Sequence, residues 1–202
     1  MRRRVHVLTV LCALVAATAW SAGQDLTNRE ADTMEQKVSA VTKRGEAKPG
    51  AASAKPMRTS FTERELNAYL KFKAHAQLPE GVLDPQVTIA GDRRLTGHAI
   101  VDLDAVRKSK ERTWLDPVAY LSGSVEVNAT GILQTSNGKG TFQLESATVG
   151  SVPIPKSLLQ ELVSYYSRSS DLPGGFDLDK PFDLPANIRE VEIQRGAATV
   201  IQ

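Results

Sequence analysis

Few residues in this 202-residue chain are of types that could carry out a reaction. Asp102 and Asp104 alternate along a predicted strand and could chelate a cation or act as an acid and base pair. A solvated outer strand face explains them more simply. His75 and His98 are far apart in sequence, and the one cysteine, Cys12, lies in the N-terminal apolar run. Because neither metal-ligand spacing nor a nucleophile with a base is found, we predict no enzymatic activity, no metal and no cofactor.

Asn67 is unusual because it falls in the middle of a predicted helix. Its amide could orient a ligand or bond to the backbone of a neighbouring segment, and the structural role is favoured. Gly174 and Gly175 do not indicate a phosphate-binding loop, since no strand-to-helix setting surrounds them.

The N-terminus has the layout of a secretory signal peptide. Arg2 to Arg4 precede a mainly apolar run from Val5 to Ala19, which small residues follow. An uncleaved anchor is the alternative, although the run is shorter than the roughly 20 residues that span a bilayer. Cleavage after Ala19 or after Gly23 would fit the pattern, and residues 1–23 are taken as the signal peptide. Its removal would place the mature protein in the periplasm or cell envelope.

Processing would change the charge balance and the cysteine content. The 25 lysines and arginines fall to 22 when the three signal arginines are lost, against 23 acidic residues. The mature chain would be close to neutral, so no basic patch for nucleic acid is indicated. It would also contain no cysteine, so its stability must come from a packed core.

Composition divides the remainder of the chain. Residues 24–56 are predicted to be a polar, partly helical segment that ends in a flexible linker, Gly45 to Pro56, rich in Gly, Ala, Pro and Lys. The helix in this segment is expected to be loosely held. Residues 57–202 have the length of one domain with a single core.

A helix-start signal opens the predicted domain at SFTERELNAYL. Thr62 and Glu65 have the spacing of a capping box, and Phe61 and Leu66 that of a hydrophobic staple. A second T-x-x-E pattern, at 27–30, precedes the polar helix. The apolar stripe of the domain's first helix comprises Leu66, Tyr69, Leu70 and Phe72.

Alternation of apolar and polar residues predicts strands over Leu95 to Asp104, Ser124 to Leu133 and Thr141 to Val149. Asn137-Gly138 indicates a hairpin turn between the last two, and a bulge or a change of face is expected near Ser146. The other predicted elements are a strand at 87–90, a helical turn at 114–121, a second amphipathic helix at 156–168 and a final hairpin at 188–202. The predicted class is α+β, a curved antiparallel sheet built from hairpins and packed against two amphipathic helices.

Small residues recur on the inward faces of the predicted strands, where Gly97, Ala99, Ala129 and Gly131 are interspersed with larger apolar residues. A closely approaching helix could fill the space that they leave, or an apolar groove could hold an acyl chain or similar ligand. The residues alone favour the filled space. The residues predicted to bind a ligand in such a groove are Leu66, Tyr69, Leu70, Ala99, Val101, Val127, Ala129, Gly131, Phe142, Leu162 and Tyr166.

Four motifs in a fixed order carry a family resemblance: FTERELNAYL, WLDPVAYLSG, VPIPKSLLQELV and PFDLPANIREVEIQRGAATV. Together they resemble an uncharacterised family of secreted bacterial envelope proteins. They are more distantly similar to small periplasmic lipoproteins and mycobacterial envelope proteins that open with the same helix. The resemblance implies a tubular lipid-binding type of fold, in which a strongly curved antiparallel sheet wraps a long helix. It supplies no catalytic residue, and this chain lacks the usable lipidation cysteine of the lipoproteins.

Two functions are expected from the residues and the resemblance together. The first is a periplasmic module that buries a lipid or another hydrophobic small molecule, with peripheral membrane association and no nucleic-acid partner. The alternative is an envelope assembly or scaffolding protein with a filled core and no ligand, acting through its N-terminal helix or an exposed strand edge.

Overall fold

The computed structural model describes residues 25–46, 56–109, 122–166, 168 and 173–202. The predicted signal peptide and the predicted helical turn at 114–121 lie outside these residues, as does most of the predicted linker. The described residues form four α-helices and two antiparallel sheets, which confirms the predicted α+β class.

The sheets contain three and six strands. The helices are α1 (Asn28–Glu46), α2 (Glu63–Phe72), α3 (Leu103–Ser109) and α4 (Lys156–Tyr166), with a 3₁₀ turn at Ala74–Ala76. The strands are β1 (Arg58–Thr62), β2 (Val82–Gly91), β3 (Arg94–Asp102), β4 (Ser124–Ser136), β5 (Lys139–Val149), β6 (Val152–Pro153), β7 (Phe182–Asp183), β8 (Glu190–Gln194) and β9 (Ala197–Ile201). The smaller sheet has the order β1-β9-β8; the larger has β2 to β6 side by side, with β7 paired to the start of β5.

The hairpin of β4 and β5 forms where the sequence predicts it. Asn137 and Gly138 adopt φ angles of 50° and 79°, the left-handed pair that a two-residue type I′ turn requires. Opposite Thr130 and Gly131 the register skips Glu145, so β5 carries the expected bulge. The bulge keeps the apolar residues of β5 on one face, since Phe142, Leu144, Ala147 and Val149 partner Leu133, Gly131, Ala129 and Val127.

Several strand boundaries differ from the sequence prediction, among them the start of β2 and the end of β3. β2 begins at Val82, five residues before the predicted start at 87, and β3 ends at Asp102, where the chain turns into α3. The Asp102 carboxylate explains the second difference. Its Oδ1 accepts the N–H groups of Asp104 and Ala105 at 2.9 and 3.1 Å and so caps the helix.

A strand that the sequence analysis missed precedes α2. β1 pairs with the C-terminal strand β9 along its whole length. Met57 and Gln202 extend this pairing by two backbone hydrogen bonds of 3.2 and 3.0 Å. Residues 56–62 and the last residues of the chain therefore lie in adjacent strands.

Both long N-terminal helices begin with the predicted capping boxes. Thr62 Oγ1 accepts the N–H of Glu65 at 3.2 Å, and Glu65 Oε2 accepts the N–H of Thr62 at 2.9 Å. Thr27 and Glu30 make the same reciprocal bonds at the start of α1. Two backbone donors at each helix start are satisfied in this way.

Asn67 binds the outer edge of the larger sheet. Its Nδ2 donates to the carbonyl of Val87 at 2.8 Å, and its Oδ1 accepts the N–H of Val87 at 2.7 Å. The side-chain amide thus bonds to Val87 as a neighbouring strand would. This confirms the structural role favoured for Asn67, and it closes part of an open edge that could otherwise pair with another chain.

The two sheets meet at the same edge. Glu63 Oε2 accepts the N–H of Ile89 at 2.6 Å. The carbonyl of Ile89 accepts the N–H of Gly196, in the turn between β8 and β9, and the carbonyl of Gly196 accepts the N–H of Glu63, both at 2.8 Å. These three bonds connect α2, the larger sheet and the smaller sheet at one point.

The polar helix α1 is held more firmly than its sequence indicates. Ala31 on α1 and Ala68 on α2 are each 0% exposed, and the two helices pack against each other. Val41, near the end of α1, forms a buried cluster with Phe61 and Val200 of the smaller sheet. The helix therefore completes the core on this side of the domain.

Replacing Asn67 with Leu should lower the free energy of unfolding by about 1–3 kcal/mol, because both polar groups of Val87 would lose their partner in a half-buried position. Urea unfolding measures the change. Lys71→Leu, at an exposed position one turn farther along the same helix, is the control. A change below about 0.5 kcal/mol for Asn67→Leu, the size usual for neutral surface substitutions, would contradict this assignment.

Candidate functional site

An apolar cavity of about 590 Å³ lies between α1, α2 and the smaller sheet. Its residues come from distant parts of the sequence, and all but three are apolar or glycine. The lining residues are Met34, Val38, Val41, Thr42, Gly45, Glu46, Phe61, Leu66, Ile89, Pro185, Ala186, Asn187, Ile188, Ala198 and Val200.

The cavity has a buried floor and an exposed rim. Phe61, Ile89 and Val200 are buried, as is Val41 of α1. Most of the exposed lining residues come from α1 and from the loop before β8: Val38, Thr42, Glu46, Pro185 and Asn187. The space is therefore open to solvent along the C-terminal half of α1 and apolar at its base.

Ion pairs across the helix interface hold α1 over the cavity. The capping glutamate of each helix pairs with a basic residue of the other. Glu30 Oε1 lies 2.7 Å from Arg64 Nε, and Glu65 Oε2 lies 2.7 Å from Lys37 Nζ. Lys37 also donates to the carbonyl of Ser60 at 2.8 Å. The same two carboxylates thus start the helices and join them.

Both carboxylates have lowered pKa values. The hydrogen bond from Arg64, together with the capping bonds, lowers the pKa of Glu30 from its usual 4.5 to about 2. Burial alone would raise the pKa of Glu65, but hydrogen bonds from Lys37 and from its capping partner outweigh burial and lower it. The helix interface therefore keeps both charges in mildly acidic solution.

The C-terminal end of α1 is fastened separately. Asn187 Nδ2 donates to the carbonyl of Gly45 at 2.6 Å, and Gln202 Nε2 donates to the carbonyl of Val41 at 2.9 Å. Gly45 packs directly on the chain, since a Cβ built there would lie 2.4 Å from the Cα of Ala186. Only glycine allows this approach without a backbone shift.

The structure separates the predicted ligand-binding residues into several places. Leu66 lines the cavity beneath α1, whereas Leu70 lines a smaller space of about 420 Å³ between α2 and the start of β2. The Tyr69 hydroxyl accepts from Gln77 Nε2 at 2.9 Å. Leu162 packs against the buried cluster of Leu103 and Val106, and the side chain of Tyr166 lies outside the described part.

The predicted strand residues lie together on one face of the larger sheet, as the cross-strand register shows: Ala99 and Val101 face Val127 and Val125, and Ala129 and Gly131 face Ala147 and Leu144. The space beside Gly131 is occupied by a side chain of the sheet itself. It is therefore neither part of an open groove nor filled by a helix. A Cβ there would lie 2.3 Å from the ring of Phe142 on the adjacent strand. At Gly97, a Cβ would meet no described atom within 4 Å.

The sequence analysis missed most of the cavity because its two walls are distant in sequence. Met34, Val38 and Val41 show helical spacing, but in so polar a segment this spacing indicates only a weakly amphipathic helix. Ala198 and Val200 lie in a predicted strand whose partner, β1, was not predicted. The alternation of residues along this strand was the available signal. It predicts that Ala198 and Val200 share one face, but it does not show that α1 covers that face.

The candidate catalytic residues have structural or surface roles. Asp102 caps α3, and Asp104 Oδ2 accepts the N–H of Gly123 at 2.9 Å, so the two carboxylates do not form a solvated strand face. His98 Nε2 lies 2.9 Å from Glu126 on the outer face of the larger sheet. Among the described residues, no three His, Cys, Asp or Glu side chains are grouped as metal ligands.

Another groove, of about 680 Å³, runs between the β4–β5 hairpin and β8. Nine of its thirteen lining residues are polar or charged, Arg93, Gln134, Glu190 and Glu192 among them. The cavity beneath α1 is therefore the better candidate for an apolar ligand.

Within the described ranges, none of the helices combines the length and the hydropathy that a bilayer crossing requires.

Comparison with known proteins adds little to this site. No protein-family model matches the chain, and no curated protein does. A crystal structure of a lipopolysaccharide binding protein aligns with 72% of this chain and 40% of its own, at 16% sequence identity and a TM-score of 0.24. The chain spans less than half of that protein, and a TM-score this low carries no argument about function.

Glu30→Gln should weaken the attachment of α1 in a pH-dependent manner. Because the pKa of the folded state is lowered, the stabilisation is fully present above the usual value of 4.5 and is lost as the pH falls toward about 2. The native melting temperature should exceed that of the variant at neutral pH, and the difference should disappear near the lower pH. A difference in melting temperature that does not depend on pH would contradict an ionic origin of the stabilisation. Glu80→Gln, at an exposed position, is the control.

Gly45→Ala should lower the melting temperature, although alanine is the better helix former by about 1 kcal/mol. The added methyl group would collide with the backbone of Ala186 and displace the end of α1. Ser39→Ala, at an exposed position of the same helix, should leave the melting temperature unchanged or raise it. A stabilised Gly45→Ala variant would show that the end of α1 does not pack as described.

Proposed function

We propose that this protein is a non-enzymatic module that binds a lipid acyl chain or another hydrophobic small molecule in the cavity beneath α1. The apolar floor of that cavity carries the proposal. A volume of about 590 Å³ lies within the range of small-molecule sites, which are concave and mostly apolar with few polar groups. The proposal keeps the ligand class expected from the sequence and moves the site from the larger sheet to the smaller one.

Burial of apolar surface would supply the binding free energy, at about 25 cal/mol per Å² removed from water. A ligand chain would lie over the packed cluster of Val41, Phe61 and Val200, in contact with other lining residues such as Met34, Leu66 and Ala198. Ion pairs and two contacts at its end hold α1 beside this space, which stays open to solvent along the C-terminal half of the helix. This arrangement supports a ligand bound beneath the helix.

The signal-peptide pattern of residues 1–23 supports a location outside the inner membrane, in the periplasm or cell envelope. There the module would take its ligand from a membrane during peripheral contact or from another envelope component. The mature N-terminus of the protein purified from its cells tests this location, and an uncleaved N-terminus would contradict it.

Envelope assembly is the second candidate function, and exposed apolar residues at one edge favour it. Val152, on the short edge strand β6, is 65% exposed, and Leu158 at the start of α4 is 38% exposed. Side chains of this kind on a strand edge can contact another protein. In that case the domain would carry no small ligand.

Ala198→Leu should abolish retention of the native ligand, because the larger side chain occupies the cavity while the strand remains. Native mass spectrometry of the protein purified from its producing cells measures the bound mass. Ala197→Leu, the same change on the opposite face of β9, is the matched control and should retain the ligand. For an added neutral probe such as N-phenyl-1-naphthylamine, the overlap should weaken binding by at least about tenfold.

A wild-type protein that carries no ligand and binds no probe would contradict the binding function and favour assembly. Equal ligand retention by the two leucine variants would place the ligand elsewhere.

A further inference from the structure

We infer that the ligand of this cavity has a non-anionic, hydrogen-bond-donating polar end, either a hydroxyl or an ammonium group, and that this end lies at the C-terminal turn of α1. The inference rests on the proposed function and names its ligand class. It is drawn from the three polar residues of the lining, Thr42, Glu46 and Asn187.

These three residues lie together on the rim, while the floor is apolar. Thr42 and Glu46 are one helical turn apart and extend the line of Val38 along α1, so all three side chains are on one side of the helix. Asn187 reaches the same turn from the opposite wall, since its Nδ2 bonds to the carbonyl of Gly45 at 2.6 Å. A chain on the floor would therefore have its polar end here.

The groups at this end are mainly acceptors. Glu46 offers a carboxylate, Thr42 a hydroxyl, and Asn187 a side-chain carbonyl oxygen. The last backbone carbonyls of α1 also point toward its C-terminus, where the helix dipole places a partial negative charge. These acceptor groups stabilise a hydrogen-bond donor or a cation, whereas they repel a carboxylate or a phosphate.

Among the described lining residues, Glu46 alone carries a formal charge. Lys37 is bound to Glu65 and to the carbonyl of Ser60. Two cations lie in the last turn of α1 without lining the cavity: Arg44, which donates to Gln202 Oε1 at 3.1 Å, and Lys43. The charged group on the described cavity wall itself is therefore Glu46.

Three amphiphiles with the same chain and different polar ends test the inference: dodecylamine, dodecanol and dodecanoate. Each is titrated, below its aggregation concentration, against the full protein loaded with neutral N-phenyl-1-naphthylamine. Dodecylamine should displace the probe at a concentration about 25-fold lower than dodecanoate, because one exposed charge contact of about 4 Å in water favours the amine about fivefold and disfavours the acid by about the same factor. Dodecanol should lie between them.

Substitutions at Glu46 should change the order of the three compounds without changing the cavity. Glu46→Gln should reduce the difference between amine and acid, and Glu46→Lys should make dodecanoate the strongest competitor. Glu161→Lys, at an exposed position of α4, is the control. It changes the net charge by the same amount as Glu46→Lys and should leave the wild-type order of the three compounds unchanged. Ala198→Leu should weaken the binding of all three amphiphiles. That result would assign the displacement of the probe to this cavity.

The outcomes separate the two proposals. Failure of the probe and of all three amphiphiles to bind would reject the proposed function itself. Binding in which dodecanoate competes as well as dodecylamine, in which Glu46→Gln leaves the difference between amine and acid unchanged, or in which Glu46→Lys keeps the wild-type order, would overturn the inference and leave the apolar cavity in place.

Discussion

The outer edge of β2 is the point on which the rest of the architecture depends. An open strand edge leaves N–H and carbonyl groups without partners, and in this protein side chains of a helix supply those partners. Asn67 pairs with both polar groups of Val87, and Glu63 accepts the N–H of Ile89. Because Gly196 bonds to both Ile89 and Glu63, the same edge positions the smaller sheet. Once α2 and the smaller sheet are placed, the floor beneath α1 is determined.

The cavity persists because α1 is attached by polar contacts on both sides of it. Reciprocal ion pairs hold the helix against α2, and Asn187 and Gln202 hold its C-terminal turn. Apolar packing between α1 and the smaller sheet is confined to a small cluster around Val41. Buried Ala31 and Ala68 mark close packing of α1 on α2, so the space is left farther along α1, toward its C-terminal half.

Local signals in the sequence predicted local structure well. The capping boxes at Thr27 and Thr62, the Asn137-Gly138 turn and the bulge in β5 each depend on residues close together in the chain. Leu103 and Asp104 were wrongly assigned to the strand because the alternation of apolar and polar residues continues past Asp102, and only the bonds of the Asp102 carboxylate to the following N–H groups end the strand. β1 pairs with β9 through backbone hydrogen bonds, and α1 is attached through side chains that are ordinary in sequence. Both join distant segments, so no local pattern marked either of them. On the larger sheet, the ring of Phe142 on the adjacent strand occupies the space beside Gly131. Residue spacing within one strand does not indicate such a contact between two strands.

The most direct test of an apolar site beneath α1 is a crystal structure of the protein with 12-bromododecanol, in which anomalous scattering locates the bromine. A site beneath α1 predicts a bromine peak over the apolar floor formed by Val41, Phe61 and Val200, with the hydroxyl at the C-terminal turn of α1. A bromine peak on the apolar face of the larger sheet, near Gly97, or the absence of any peak at saturating ligand, would contradict it.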